Sequence, residues 1–192
     1  YNDAGKAVII DPGCYFPAEE ETLQNFITQK GLTPVSLLNT HCHLDHVFGN
    51  KWVHETYGLE LHVHPNEAPM LDLAPMSGER WGLPFQNYTG PLHFLNDGDK
   101  VFLDDTEIQV ILAPGHSPGS ICFYLPSQGD LIGGDVLFRG SIGRTDLPGG
   151  DAETLLNSIR EKLWVLPDET VVYSGHGIKT TIGYEKRNNP FL

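Results

Sequence analysis

Cysteine is scarce and scattered. Cys14, Cys42 and Cys122 are the three in 192 residues, an odd number at wide spacing without a CxxC pair. That usage excludes a disulfide framework and a structural zinc knuckle, and it fits a reducing cytoplasm. No apolar run approaches the roughly 20 residues that span a bilayer, and no charged stretch followed by an apolar one follows Tyr1 as a secretory signal would. No membrane association is expected. Basic residues are also in short supply: 12 Lys and Arg against 25 Asp and Glu leave a formal charge of -13. This is the opposite of the footprint of a nucleic-acid-binding protein. What remains is ordinary for a globular protein, 40% hydrophobic and 19% charged residues, with length for one domain spanning 1–192.

Histidine is concentrated. Thr40-His41-Cys42-His43-Leu44-Asp45-His46 packs three imidazoles and a carboxylate into six consecutive residues directly after the apolar run Val35 to Leu38. In an extended segment residues two apart share a side, so His41 and His43 face one point while Cys42 and Leu44 face away. Asp45 and His46 are adjacent and reach a second point as the chain turns into the next helix. Two neighbouring metal sites are the natural reading.

The remaining chain alternates strands, helices and ligand-bearing loops. Lys6 to Ile10 reads as a buried strand ended by Asp11-Pro12-Gly13, and Ala18 to Lys30 as an amphipathic helix stopped at Gly31. A helix is expected from about Val47 to Tyr57 and a strand over Leu59 to Val63, with His62 and His64 on one side. His54, His62, His64 and His93 read as half-buried polar side chains rather than ligands. Pro65 to Pro91 lacks periodicity and reads as a long loop, whose Met70, Met76, Trp81, Phe85 and Tyr88 serve either as a pocket wall or as packing. A β-rich half follows, with strands at Lys100 to Leu103, Glu107 to Leu112, Ile121 to Leu125, Asp130 to Ile132 and Val171 to Tyr173, and a helix over Ala152 to Leu163. His116, Asp135 and His176 each stand at a strand end among glycines and prolines.

Collected, the strand-end donors are His41, His43, Asp45, His46, His116, Asp135 and His176. Seven are too many for one ion. They divide sensibly if Asp135 bridges two divalent cations about 3.5–4 Å apart, with His41, His43 and His116 on one and Asp45, His46 and His176 on the other. The donor set suits zinc best and also accepts iron or manganese. Asp11 then reads as a carboxylate behind the ligands that orients them.

His41 to His46, with His116, Asp135 and His176, resembles the HxHxDH motif and later ligands of the metallo-β-lactamase fold superfamily. Gly133-Gly134-Asp135-Val136-Leu137-Phe138, Gly143-Arg144-Thr145-Asp146 and Asn189-Pro190-Phe191-Leu192 are similar to short bacterial glyoxalase II-like hydrolases. The resemblance implies an α/β fold, a four-layer αββα sandwich with the site at one edge. It also implies hydrolysis of a small-molecule thioester, such as an S-2-hydroxyacyl-glutathione, by a metal-bridging hydroxide whose proton Asp45 takes. Arg144 stands where the family has a lysine for the thiol carrier, while Asp146 and Ile178 stand where it has two tyrosines. Tyr184, Lys186 and Arg187 are further candidates for carrier contacts. The alternative is a mononuclear Fe(II) persulfide dioxygenase, similar in Thr40-His41-Cys42-His43 and Gly143-Arg144-Thr145-Asp146, with His41 or His43, His116 and Asp135 as a facial triad.

Overall fold

A computed structural model describes residues 1–192, whose backbone contacts gather into two units, Tyr1–Phe94 and Leu95–Leu192. The first unit runs β1 (Lys6–Ile10), α1 (Pro17–Gln29), β2 (Thr33–Leu38), α2 (Leu44–Val47), α3 (Asn50–Tyr57), β3 (Leu61–Val63), α4 (Ala68–Trp81) and β4 (Leu92–Phe94). Its four strands pair in chain order and all in parallel. In a parallel sheet every strand delivers its following loop to the same edge. Asp11 after β1, the histidine cluster after β2 and His64 after β3 therefore emerge together. The core beneath them is built from Leu37, Val47, Val53, Leu61, Val63 and Leu71, each almost fully buried.

Local chemistry explains most boundaries in this unit. α1 opens with Pro17, and the Glu19 carboxylate accepts from the Tyr15 and Phe16 amides at 2.8 and 2.9 Å, which fills two of the open donors at the helix start. The expected helix over 47–57 starts only at Asn50, after a separate short helix over Leu44–Val47, because the Gly49 amide leaves the helical ladder and donates to the Pro12 carbonyl at 2.7 Å. The expected 65–91 loop is corrected more substantially: Pro65–Glu67 forms a 3-10 turn and α4 occupies Ala68–Trp81. Pro75 inside α4 conceals the helix from the sequence, since an interior proline costs roughly 3 kcal/mol. Burial of Leu71 and Ala74, with Gly78 set where a Cβ would lie 2.6 Å from the Leu83 carbonyl, offsets it; one fully buried leucine is worth about 1.5–3 kcal/mol.

The second unit runs β5 (Lys100–Leu103), β6 (Thr106–Leu112), β7 (Ile121–Leu125), β8 (Asp130–Gly134), β9 (Leu137–Phe138), β10 (Ser141–Ile142), α5 (Ala152–Ser158), β11 (Val171–Ser174), β12 (Thr180–Thr181) and α6 (Ile182–Asn188). Six strands form one sheet in the order β12-β11-β8-β7-β6-β5, antiparallel except for the parallel pair β8 and β11. That pair sends Asp135 and His176 out at one edge. α5, capped by the Asp151 carboxylate on the Thr154 amide at 2.7 Å, widens into a π turn over Ile159–Leu163. Leu155, Ile159 and Leu163 remain on one fully buried stripe. No helix is long and apolar enough to cross a membrane.

On β3, Leu61 and Val63 enter the core, so His62 faces the other way and stacks on His93 of β4, with ring centroids 4.7 Å apart. Burial first, and His93 second, hold His62 below the ordinary imidazole pKa. The unfolded chain thus takes up this proton before the folded one does. Stability should fall as pH drops through the unfolded value of about 6.5 and level off below the folded value. Thermal melts between about pH 7.5 and about pH 5 should show a smaller loss for His62→Asn than for the wild type; parallel curves would contradict this account.

Candidate metal centre

In the first unit the site is organised by Asp11, which adopts φ +49, an uncommon conformation that Asp tolerates better than most residues. Its Oδ1 accepts from the Thr40 amide at 2.7 Å and the Asn39 side-chain amide at 3.0 Å. Its Oδ2 accepts from the Thr40 hydroxyl at 2.5 Å and faces His46 Nδ1 at 3.0 Å. Asn39 also donates to the His46 carbonyl at 2.9 Å and accepts from Asn50 at 2.6 Å. One carboxylate thereby ties the ends of β1 and β2 to the start of α2.

These bonds fix imidazole tautomers. The Thr40 hydroxyl spends its hydrogen on Asp11, so at 3.0 Å it accepts from His41 Nδ1–H. His46 likewise gives its Nδ1–H to the Asp11 carboxylate. Both rings then present the Nε2 lone pair, the arrangement in which an oxygen on one ring nitrogen orients the other toward a metal. The His41 ring lies 4.8 Å from that of His43 and 4.0 Å from that of His46, and Asp45 Oδ2 is 3.7 Å from His46 Nε2. Cys42 faces away as the alternation requires. Its thiol is fully buried and pushed well up, chiefly by burial and then by Glu67 and Asp11.

Glu67 escaped sequence reasoning. It is fully buried at the end of the 3-10 turn and accepts from the Cys42 amide at 2.7 Å, so it braces the backbone between His41 and His43. The only signal was a glutamate three residues beyond His64 within a stretch read as loop. The unit also holds an open cavity of about 580 Å³ lined by Cys14, Tyr15, Phe48, Trp52 and Phe85. Of the residues considered as a pocket wall, Phe85 lines this cavity, Tyr88 is core, Met70 packs on the core, and Met76 and Trp81 are exposed.

The second unit repeats the logic with a different acceptor. His116 Nδ1 donates to the Arg144 main-chain carbonyl at 2.7 Å, again leaving Nε2 to face outward. Asp135 Oδ2 lies 3.6 Å from His116 Nε2 and 3.6 Å from His176 Nε2. Ligand atoms on a common ion with bonds of about 2.0–2.1 Å stand roughly 3.4 Å apart in tetrahedral geometry, so one carboxylate oxygen equidistant from two imidazoles suits a bridging ligand. Gly143 makes this possible, because a Cβ there would meet the Asp135 carbonyl at 1.9 Å. Arg144 and Asp146 are exposed and clasp each other through two bonds of 2.7 and 2.8 Å. The Arg144 guanidinium holds the Asp146 carboxyl down at about 2. Ile178 is exposed two residues beyond His176, whereas Lys186 and Arg187 are spent on Asp168.

Imidazoles whose orientation is fixed by oxygens, together with carboxylates at strand ends, form a set of donors suited to divalent metal. The chain belongs to the metallo-β-lactamase superfamily, whose family model matches residues 1–176. It is 40% identical over 194 residues to the hydroxyacylglutathione hydrolase GloC of Haemophilus influenzae, covering 100% of this chain and 90% of that one. The crystal structure of the BLEG-1 B3 metallo-β-lactamase matches with a TM-score of 0.91 at 41% identity, covering 100% of this chain and 91% of that one. That of TTHA1623 in a di-iron-bound form matches at 0.88 and 41%, covering 95% and 88%. The α/β fold expected from the sequence is the fold of this superfamily, and divalent metal is its cofactor.

Removing the orienting carboxylate with Asp11→Ala should weaken metal binding about 10–100-fold, measured by competition with a chelator of known affinity. Gly143→Ala should cost more, since no rotation relieves a contact between Cβ and backbone. Lowered melting temperature together with lost metal is the expected result, and native metal content in a stable Gly143→Ala protein would contradict it.

Proposed function

We propose that this chain is a thioester hydrolase acting on S-2-hydroxyacyl-glutathione or a similar S-acyl thiol, as a single domain over 1–192. The observation that carries the reading is the set of three imidazoles, His41, His46 and His116, whose Nδ1 atoms are each held by an oxygen, a contact that fixes how the ring is turned. The name of the GloC relative, at 40% identity over the whole chain, supports the thioester. In this reading His41, His43 and His116 hold one cation, Asp45, His46 and His176 the other, and Asp135 both. Zinc suits the donors, and the di-iron form of TTHA1623 keeps iron in play.

When bound, such ions bring the pKa of a coordinated water toward neutrality and polarise the carbonyl under attack. The chain supplies the rest. Asp45, half-exposed and 3.7 Å from His46 Nε2, is the acceptor for the proton released from the attacking water. Asp11, Thr40 and the Arg144 carbonyl keep the imidazoles from rotating, so the donors need no rearrangement as charge develops. A thiolate leaves without the strong general acid an amide requires. His176, 57% exposed, marks where the ligand shell is open to substrate. The three free cysteines support a cytoplasmic location, and the charge of -13 argues against nucleic acid as a partner.

Metal analysis of the purified protein, paired with hydrolysis of S-lactoylglutathione and oxygen uptake on glutathione persulfide, tests the proposal. Two ions per chain with hydrolysis are expected. Oxygen consumption with a single iron and no hydrolysis would overturn it in favour of the dioxygenase, and nitrocefin turnover without thioester turnover would favour the activity named for BLEG-1. Asp135→Ala should lose both metals, and two tightly held ions in that variant would refute the bridging assignment.

A further inference from the structure

We infer that Arg139 and Lys179 form the anchor for the anionic part of the thiol carrier, an inference that rests on the thioester reading. In the second unit, Lys100, Arg144, Lys162, Lys186 and Arg187 each sit against a carboxylate at 2.6–3.2 Å. Arg144, where the resemblance places the carrier contact, is therefore already neutralised by two bonds to Asp146. Three exposed cations of this unit remain: Arg160 belongs to the π turn after α5, whereas Arg139 and Lys179 rest on tyrosine rings, with Arg139 Cζ 4.4 Å from the Tyr184 centroid and Lys179 Nζ 5.7 Å from that of Tyr173. A ring face steadies a cation without cancelling its charge.

The two cations are held on one frame. Glu185, almost fully buried, accepts from the Gly140 amide at 2.9 Å, from the Thr180 hydroxyl and from the Asn189 side chain at 2.8 Å. Gly140 follows Arg139 and Thr180 follows Lys179, so one carboxylate ties together the residues next to both, through the Gly140 amide and the Thr180 hydroxyl. Phe138, next to Arg139, lies 6.5 Å from the His176 ring, and Lys179 is three residues beyond His176. Arg139 thus neighbours a residue whose ring approaches His176, and Lys179 follows His176 in the same loop, next to the exposed Ile178. In a chain of net charge -13, two uncancelled positive charges beside the reacting end select an anionic ligand. The carboxylates of a glutathione-like carrier and the phosphates of a coenzyme A-like carrier share that chemistry.

The test compares the metal-loaded wild type with Arg139→Ala/Lys179→Ala on S-lactoylglutathione, on acetyl-coenzyme A and on the uncharged S-lactoyl-N-acetylcysteamine. Exposed ion pairs are each worth little, so the ratio of kcat/KM on a charged carrier to that on the uncharged one should fall about tenfold, through KM. The charged substrate showing that fall identifies the carrier as carboxylate- or phosphate-bearing. Charge-preserving Arg139→Lys/Lys179→Arg should retain the ratio. Calorimetric binding of non-hydrolysable S-methylglutathione and of free coenzyme A gives a readout independent of turnover: one should bind the double alanine variant about tenfold more weakly. If the wild type hydrolyses no thioester, the functional reading fails and this binding still decides the anchor. An unchanged ratio with unchanged affinity for both ligands would overturn it.

Discussion

The carboxylate of Asp11 is the constraint on which the first unit's half of the site depends. Four donors converge on it, two from main chain or side chain at the end of β2 and two that fix the orientation of metal-facing groups. Bonds to an ionised acceptor are about twice as strong as neutral ones, which compensates for the left-handed backbone Asp11 adopts at a cost of order 1–3 kcal/mol. Without that anchor the Thr40 hydroxyl could turn, and the His41 tautomer would no longer be dictated. The strained residue stands where orientation matters most.

The second unit reaches the same end with main-chain atoms. A carbonyl, that of Arg144, takes the role of a carboxylate behind His116, and a glycine at 143 lets the backbone come close enough to Asp135 for the loop to close. Parallel strands explain why both schemes work. β1, β2 and β3 in one unit, and β8 and β11 in the other, each release their loops at a common edge, so side chains distant in sequence become neighbours within each unit. Burial then grades the donors. His41 and His116 are buried, whereas Asp45 and His176 are half open to solvent.

Much of this was legible in the chain because close spacing and strand ends are themselves geometric statements. His41 and His43 alternate with Cys42, and the structure keeps the thiol buried on the far side. Asp11 was readable only conditionally, since an Asp-Pro-Gly turn is commonplace until histidines need orienting. α4 is not legible in the sequence, because Pro75 and Gly78 argue locally against a helix that packing of Leu71 and Ala74 enforces. Glu67 is hidden with it. Arg144 looked like an available cation because nothing in Gly-Arg-Thr-Asp says that the arginine turns back onto its own loop's aspartate.

The sequence by itself determined the ligand types, their order, and their attachment to strand ends, because these follow from residue identity and the two-residue period of extended chain. Tertiary structure alone decided which ring nitrogen of each histidine is bonded behind and which faces outward, since that depends on an oxygen contributed from elsewhere in the fold. It also decided which surface cations stay uncancelled. Charge on a side chain is written in the sequence, but its partner is chosen by where the folded chain puts the nearest carboxylate.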